Sequence, residues 1–447
     1  MRLPFGISPP CAVRATYEER SVKPAINENA LYAKVSWRLI PFLFACYVAA
    51  FLDRVNISFA KLTMSADLGF SETVYGLGAG IFFIGYFLFE IPSNLLMHRI
   101  GARATLARIM VAWGLLSAGT MFVTTPTQFY VMRFLLGVAE AGFFPGVVLY
   151  LTYWYPAERR GQVMALFVTA VAVSGAAGSP VSGLIMQSMD GLHGWKGWQW
   201  LLLLEGLPTV GLGLFALWWL DDRVRDARWL TPAEREYIAG KVEAEAAGKA
   251  PLTVLQSLRD RRVWLLSAIY FCIVSGLYGI NFWLPTIVKG LGVGDLRTVG
   301  LVSAVPWLAA MVCMTLVGRS ADRRRERRFH VAVPALAAAV GLALSVPMGS
   351  QPVLAVAALT VALSGLLSAL PLSWSLSTGF LGGAAAASGI ALINSIGNLS
   401  GFVSPYLIGF VRDQTGRTDL GLYLLAGLMT VGAVLVLRKV PPDLVNR

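Results

Sequence analysis

Two short stretches place full charges among residues that avoid water. The first, YVAAFLDRVNISFA (residues 47–60), sets Asp53 beside Arg54. The second, RFLLGVAE (133–140), carries Arg133 and, two helical turns on, Glu140. Ionisable groups inside an apolar span are costly, so they face a cavity, pair with one another and mark function. The four charges sum to zero, which burial favours. At ~1.5 Å rise per residue, Asp53 lies ~10 Å below the end of a span closing near residue 60. Arg133 lies ~9 Å below the start of a span opening near 127, level with Asp53, and Glu140 lies ~10 Å deeper on the same helix face. Level placement predicts an Asp53–Arg133 pair. Arg54 is turned ~100° away from Asp53 around its helix, which leaves its guanidinium without an internal partner. Such a group grips a carboxylate with two hydrogen bonds. The chemistry implied is reversible binding of a carboxylate anion. A charge cluster that only clamps helices is the bland alternative, and it needs no spare cation.

Signals for bond-making chemistry are missing from the sequence. It has no Walker A, H-E-x-x-H or G-x-S-x-G motif. Cys11, Cys46, Cys272 and Cys313 have no ligand or disulfide-framework spacing. His98, His193 and His330 are far apart, so no metal site is expected. The glycines of YGLGAGIFFIG lack dinucleotide-binding spacing and suit close helix packing. The chain does not read as an enzyme.

The elements that must hold the charges are membrane spans. The 447 residues are 56% hydrophobic and 14% charged, against about a quarter charged in soluble proteins. Twelve apolar stretches fall at roughly 37–60, 75–98, 102–123, 127–151, 161–189, 198–220, 262–288, 298–319, 329–350, 352–378, 385–411 and 419–438. Each approaches or exceeds the ~20 residues a span needs. The reading is an all-α integral membrane protein. Residues 1–36 form a polar, mostly disordered tail rather than a signal peptide. A six-helix half follows over 37–220, a central loop over 221–261, a second six-helix half over 262–440 and a short tail over 441–447. Of the 37 Lys and Arg, 29 fall in the tails and loops on the N-terminal side, six in the opposite loops, and Arg54 and Arg133 in spans. The positive-inside rule then puts both termini in the cytoplasm. The net charge of +12 is thereby topological and does not indicate nucleic acid. In the central loop, Thr231, Pro232 and Glu234 predict a capped helix start.

Six spans, a long cytoplasmic loop and six more spans resemble the major facilitator superfamily. NLLMHRIGARAT after span two and GRSADRRRERR after span eight resemble its basic loop signature. The second copy keeps Gly318, Asp322 and Arg323. The first has Gly101 and Arg103, but His98 stands where the acid usually is. The resemblance implies that these residues latch helix ends and gate the cycle.

FLDRVNISFAKL, GAGIFFIGYFLFEIPSNLLMHRIGAR, RFLLGVAEAGFFPG and WYPAERRGQ are similar to the anion:cation symporter family of that superfamily, over essentially residues 35–440. Its members include bacterial permeases for phthalate, nicotinate, tartrate, galactonate and hydroxyphenylacetate. The resemblance implies a bacterial inner-membrane transporter. It would import an organic carboxylate by proton symport and alternating access, as a monomer, with protons as coupling ion and no other cofactor. It makes Asp53 and Glu140 the protonating acids, Arg133 their partner and Arg54 the carboxylate grip. Tyr86, Ser373, Trp374 and Asn394 match substrate positions. Some sugar-acid permeases of the family have a tyrosine where Phe51 stands and a glutamine near Val171. Their absence tilts the expectation towards an aromatic or less hydroxylated acid.

Tyr278, Asn281 and Trp283 are further cavity candidates, because the second half has no charge in its spans. Glu90 and Glu205 lie nearer span ends and read as structural carboxylates. GAAGSPVSG in span five faintly resembles the glycine–proline motif of exporters, so an antiporter or drug exporter stays open as an alternative. A non-transport membrane sensor is the remoter one.

Overall fold

The computed structural model of the chain describes residues 26–246, 258–381 and 385–445. Most of the expected N-terminal tail, 247–257 of the expected central loop and the last two residues lie outside these. Among the described residues no strand forms. The long helices are α1 (Glu28–Leu68), α2 (Glu72–Ile100), α3 (Ala102–Gly119), α4 (Pro126–Glu140), α5 (Phe143–Thr152), α6 (Ala157–Val168), α7 (Ala170–Ser188) and α8 (Gly197–Trp219). They continue as α9 (Pro232–Ala246), α10 (Arg261–Gly290), α11 (Leu296–Arg324), α12 (Arg328–Ser345), α13 (Pro352–Leu381), α14 (Ala385–Asn398), α15 (Ser400–Thr415) and α16 (Asp419–Lys439). Among the described residues, eleven helical stretches are long and apolar enough to cross a bilayer, two of them the joined pairs α4–α5 and α6–α7. The pair α14–α15 follows through Leu399 in helical geometry (φ −61°, ψ −21°) and makes the twelfth crossing. An all-helical answer is what a bilayer imposes, since every backbone polar group must be satisfied within its own segment.

Packing repeats between the two halves. α1 lies on α7 and α8 as α10 lies on α14, α15 and α16. α3 pairs with α8 as α12 pairs with α16, and α2 with α4–α5 as α11 with α13.

Two helix ends depart from the sequence expectation. α1 starts at Glu28, inside the stretch read as a tail. Asn27 caps it by accepting from the Ala30 amide at 3.1 Å, and Leu31, Tyr32 and Val35 are buried. α1 also runs on to Leu68, so Lys61 is not a loop residue. It is buried and pairs with Glu72 at 2.7 Å. The helix predicted from Thr231, Pro232 and Glu234 forms as α9. The Glu234 amide donates to Thr231 Oγ1 at 3.3 Å and the Thr231 amide to Glu234 Oε2 at 2.8 Å. α9 is pinned to the face of the bundle where α1 begins, through Lys34–Glu234 at 2.9 Å and Lys241–Glu28 at 3.0 Å.

The halves meet at the opposite, distal face. α2 packs on α15, α7 on α11 and α1 on α10. Lys61 donates to Thr286 Oγ1 at 3.2 Å across the interface, and Arg412 reaches Glu72 at 3.4 Å. Asp413 accepts from the Glu72 and Thr73 amides at 3.1 and 2.7 Å, capping α2 from the other half. Close approach depends on small residues. A Cβ at Gly183 would stand 2.4 Å from the Leu296 carbonyl oxygen. Gly183→Leu therefore wedges the distal face open. Spin labels at Ser188 and Gly290, on opposite halves, should read a longer distance in that variant; an unchanged distance would show that this contact does not set closure.

Candidate functional site

Arg54 and Glu140 meet at the centre of the first half. Arg54 Nε donates to Glu140 Oε1 at 2.8 Å, and Nη2 donates to the same oxygen. Both groups are buried. The Arg54 guanidinium also lies 5.2, 5.5 and 5.4 Å from the ring centres of Phe51, Phe82 and Tyr86. Aromatic faces stabilise a cation that has been taken from water. Arg54 is thus not the unpartnered cation that the sequence suggested. Glu140 is available because the span breaks directly after it. Ala141 is extended (φ −54°, ψ 129°), and Gly142 takes φ +88°, a left-handed value that L side chains resist. A Cβ at Gly142 would also stand 2.6 Å from Ser93 Oγ. Glu140 therefore sits on the last turn of α4, whose free carbonyl ends add negative potential that favours a nearby guanidinium.

The expected Asp53–Arg133 pair does not form. Asp53 is held by neutral donors from three helices. Trp113 Nε1 and Thr209 Oγ1 donate to Oδ2 at 2.6 and 3.0 Å, and Ser117 Oγ and Asn56 Nδ2 donate to Oδ1 at 2.7 and 3.2 Å. Trp113 and Ser117 lie on α3 and Thr209 on α8, so Asp53 points away from α4. Arg133 turns towards α2. Its Nε donates to the Gly78 carbonyl at 3.3 Å, its guanidinium lies 5.2 Å from the Phe82 ring centre, and Nη2 is buried without a hydrogen-bond acceptor. Direction around the helix was misread: Asp53 turns to α3 and α8 and Arg133 to α2.

A cavity opens beside Arg54, lined from the first half by Tyr47, Phe51, Arg54, Tyr86, Phe144, Val168 and Val171. Tyr270, Val274, Leu277, Tyr278, Leu370, Trp374, Asn394 and Asn398 line it from the second half. Of the expected residues, Tyr86, Tyr278, Trp374 and Asn394 reach it. Ser373 does not: its hydroxyl donates to Leu370 O of its own helix at 2.6 Å. Asn281 is buried with both amide atoms unpartnered and does not line the cavity. Trp283 sits in the distal network instead, its ring centre 4.1 Å from Lys61 Nζ. Tyr47, Tyr270 and Asn398 are the site residues that sequence reasoning missed. Asn398 lies one helical turn past Asn394 within LINSIGN, which was the available signal. The cavity holds about 60 Å³, well short of the ~300 Å³ of a small-ligand pocket. The site is contracted around the Arg54–Glu140 pair.

Glu90 links the halves beside this cavity. Asn394 Nδ2 and Ser395 Oγ each donate to its carboxylate at 2.9 Å.

The basic loops differ from each other. The acid absent from the first is supplied from the end of α8. Asp222 accepts from the Arg103 amide at 2.8 Å, its carboxylate reaches Arg103 Nε at 3.9 Å, and it lies against Gly101. In the second, Gly318 has open space at its Cβ position, and Asp322 and Arg323 are exposed. There Glu326 accepts from the Phe329 amide at 2.8 Å and lies 2.8 Å from His330 Nδ1.

Comparison with known proteins agrees with this architecture. The family model "Major Facilitator Superfamily" matches residues 43–405. The chain is 49% identical to a protein of Agrobacterium vitis named "Putative tartrate transporter", over 92% of this chain and 91% of that one. It is 41% identical to the "Quinolone resistance transporter" of Acinetobacter baumannii, over 91% and 95%. The inward-open structure of the xylose transporter XylE from E. coli superposes with a TM-score of 0.72 over 91% of this chain and 96% of that one, at 15% identity, a likeness of fold alone. The chain belongs to the Major Facilitator Superfamily and has its fold, two six-helix halves around a central cavity.

Proposed function

We propose that the protein imports an organic carboxylate together with protons across the bacterial inner membrane by alternating access, with both termini in the cytoplasm. One observation carries the reading. Arg54 is the only charged residue among the described residues lining the cavity, and a carboxylate of the protein itself occupies it. A substrate carboxylate is chemically interchangeable with that of Glu140. If it displaced an ionised Glu140, two anions would share one buried cation, which is costly. If Glu140 takes up a proton first, its hold on Arg54 weakens and the site carries one net positive charge, which the entering anion returns to zero. Anion binding then requires proton binding, which is symport. Asp53, with its own donors, acts as a second titrating acid in the same half. Arg133 lends positive potential to α4 without a direct bond to either acid.

The substrate class follows from the lining. Phe51 and Val171 both face the cavity and offer no hydrogen bonds. Aromatic residues on both sides favour a flat or lightly hydroxylated acid, while the relative's name keeps tartrate among the compounds to test. The basic loops and their Arg103–Asp222 contact serve as gating latches.

Two variants test this in proteoliposomes loaded with labelled carboxylates, tartrate and nicotinate among them. Arg54→Lys keeps the charge but loses the planar fork. A charge-assisted hydrogen bond is worth about 1.5–3 kcal/mol, so affinity should fall roughly 10- to 100-fold. Wild-type affinity in that variant removes Arg54 from the substrate site. Glu140→Gln fixes the neutral form. It should lose accumulation driven by an inward pH gradient yet retain exchange of labelled for unlabelled substrate. Gradient-driven accumulation by this variant would show that Glu140 does not carry the proton.

The second reading is export, favoured by the quinolone-resistance relative and the Gly175–Gly183 stretch of α7. Direction separates them. Proton-driven loss of substrate from the compartment holding the termini would replace import.

A further inference from the structure

Glu205, on α8, is left over by the mechanism above, and its surroundings are unlike those of the other buried acids. It is buried, and a single hydroxyl, that of Ser182, donates to Oε1 at 2.7 Å. Oε2 is buried and receives no hydrogen bond. Among the described residues no Lys, Arg or His pairs with it. The helices packed against α8 are α1, α3 and α7. From α1, Asp53 faces it, and Asn56 beside Asp53 lies within hydrogen-bonding reach. From α7 comes only Ser182, because that helix has no charged residue. α3 turns Trp113 and Ser117 onto Asp53, and its two arginines, Arg103 and Arg108, sit in its first turns on the face carrying the termini. Asp53 is therefore the one titratable group facing Glu205.

The two acids divide their donors very unequally. Asp53 receives four hydrogen bonds, from Trp113, Ser117, Thr209 and Asn56. Glu205 receives one from Ser182 and lies in reach of the Asn56 amide. A carboxylate needs donors on both oxygens, whereas a carboxylic acid carries its own on one of them. An ionised carboxylate oxygen with neither donor nor cation in an apolar interior carries a far larger penalty than an unpartnered hydroxyl in the same place. Two neighbouring carboxyls placed in such different surroundings take different protonation states.

We propose that Asp53 and Glu205 form a second proton-binding site, joined by Asn56 and separate from the Arg54–Glu140 pair. One proton rests on Glu205 while Asp53 is ionised. Transfer breaks the Glu205 O–H bond and forms an Asp53 O–H bond, with the Asn56 amide reorienting between the two oxygens. No co-reactant is needed. Loading of Asp53 during the cycle then draws on a proton already inside the bundle.

Infrared spectroscopy on the full-length protein in lipid nanodiscs tests this without any substrate. A protonated carboxyl has its own carbonyl-stretch band, which shifts in deuterium oxide. At neutral pH the wild type should show such a component, and Glu205→Gln should remove it. Asp53→Asn should shift the component but keep it, because the proton sits on Glu205. Ser182→Ala removes a donor from Oε1 and should also move the band, which covers the case in which Glu205→Gln fails to fold. An unchanged band in Glu205→Gln, or loss of the component in Asp53→Asn with Glu205 intact, overturns the assignment. The reading of Arg54 as the carboxylate grip is tested by transport and stands or falls apart from this band.

Discussion

A buried guanidinium needs a carboxylate, and everything at the centre of this protein is arranged around that need. Removing one partner of a buried ion pair costs about 3–5 kcal/mol, because the other charge is then stranded. Arg54 and Glu140 meet that constraint with two N–H donors converging on one carboxylate oxygen and three aromatic rings around the cation. Among the described residues, the second half lines the cavity without a charge, through Tyr270, Tyr278, Trp374, two asparagines and three aliphatic side chains. Any anion entering must therefore compete for one cation on the first half. On the proposed reading, the pair both closes the cavity and offers the seat for its anion.

The span map was legible because a bilayer leaves few choices. Long apolar runs must be helices, and the basic residues fall on alternating connections. The loop helix α9 was legible from its cap, a three-residue pattern with a local mechanism. What failed was direction. Helical rise converts sequence into depth, so Asp53 and Arg133 were placed level. Whether they face each other depends on the rotation of α1 and α4 about their axes, and that is set by packing of many apolar residues. Trp113 and Thr209, distant in sequence, decide where Asp53 points. Asp222 likewise completes the first basic loop from the far end of α8, a pairing that no local motif announces. Lys61 was misplaced for a simpler reason: α1 runs past the expected span end at residue 60 to Leu68, and its extra turns carry the distal network.

That network and the cavity are connected through packing. The halves touch through backbone approaching backbone at Gly76, Gly183 and Gly409, where added side chains would collide with carbonyl oxygens at 2.3 to 2.4 Å. Such surfaces have two states, engaged or separated, with little room between them. Around the engaged surfaces sit Lys61, Glu72, Arg412 and Asp413, charges that separation would expose to water. Exposed ion pairs contribute little, so opening this face forfeits packing more than electrostatics. With the distal face engaged, the cavity is contracted to about 60 Å³. On the proposed reading, substrate entry must then enlarge the cavity as well as free Arg54.

The same physics explains why the acids are spread over several helices. Glu140 is tied to a cation, Asp53 to four neutral donors, Glu90 to two side chains of the other half, and Glu205 to a single hydroxyl. Each carboxyl therefore answers a proton with a different structural consequence. Protonating Glu140 releases a cation into the cavity. Protonating Glu90 weakens a bond between the halves. Protonating Asp53 frees donors on α3 and α8 that hold α1 in place. Glu205, with one donor on Oε1 and none on Oε2, has the least to lose by holding a proton. In a medium where charge is expensive, the number and kind of donors around each acid sets what its proton does, and those donors come from helices that sequence order keeps far apart.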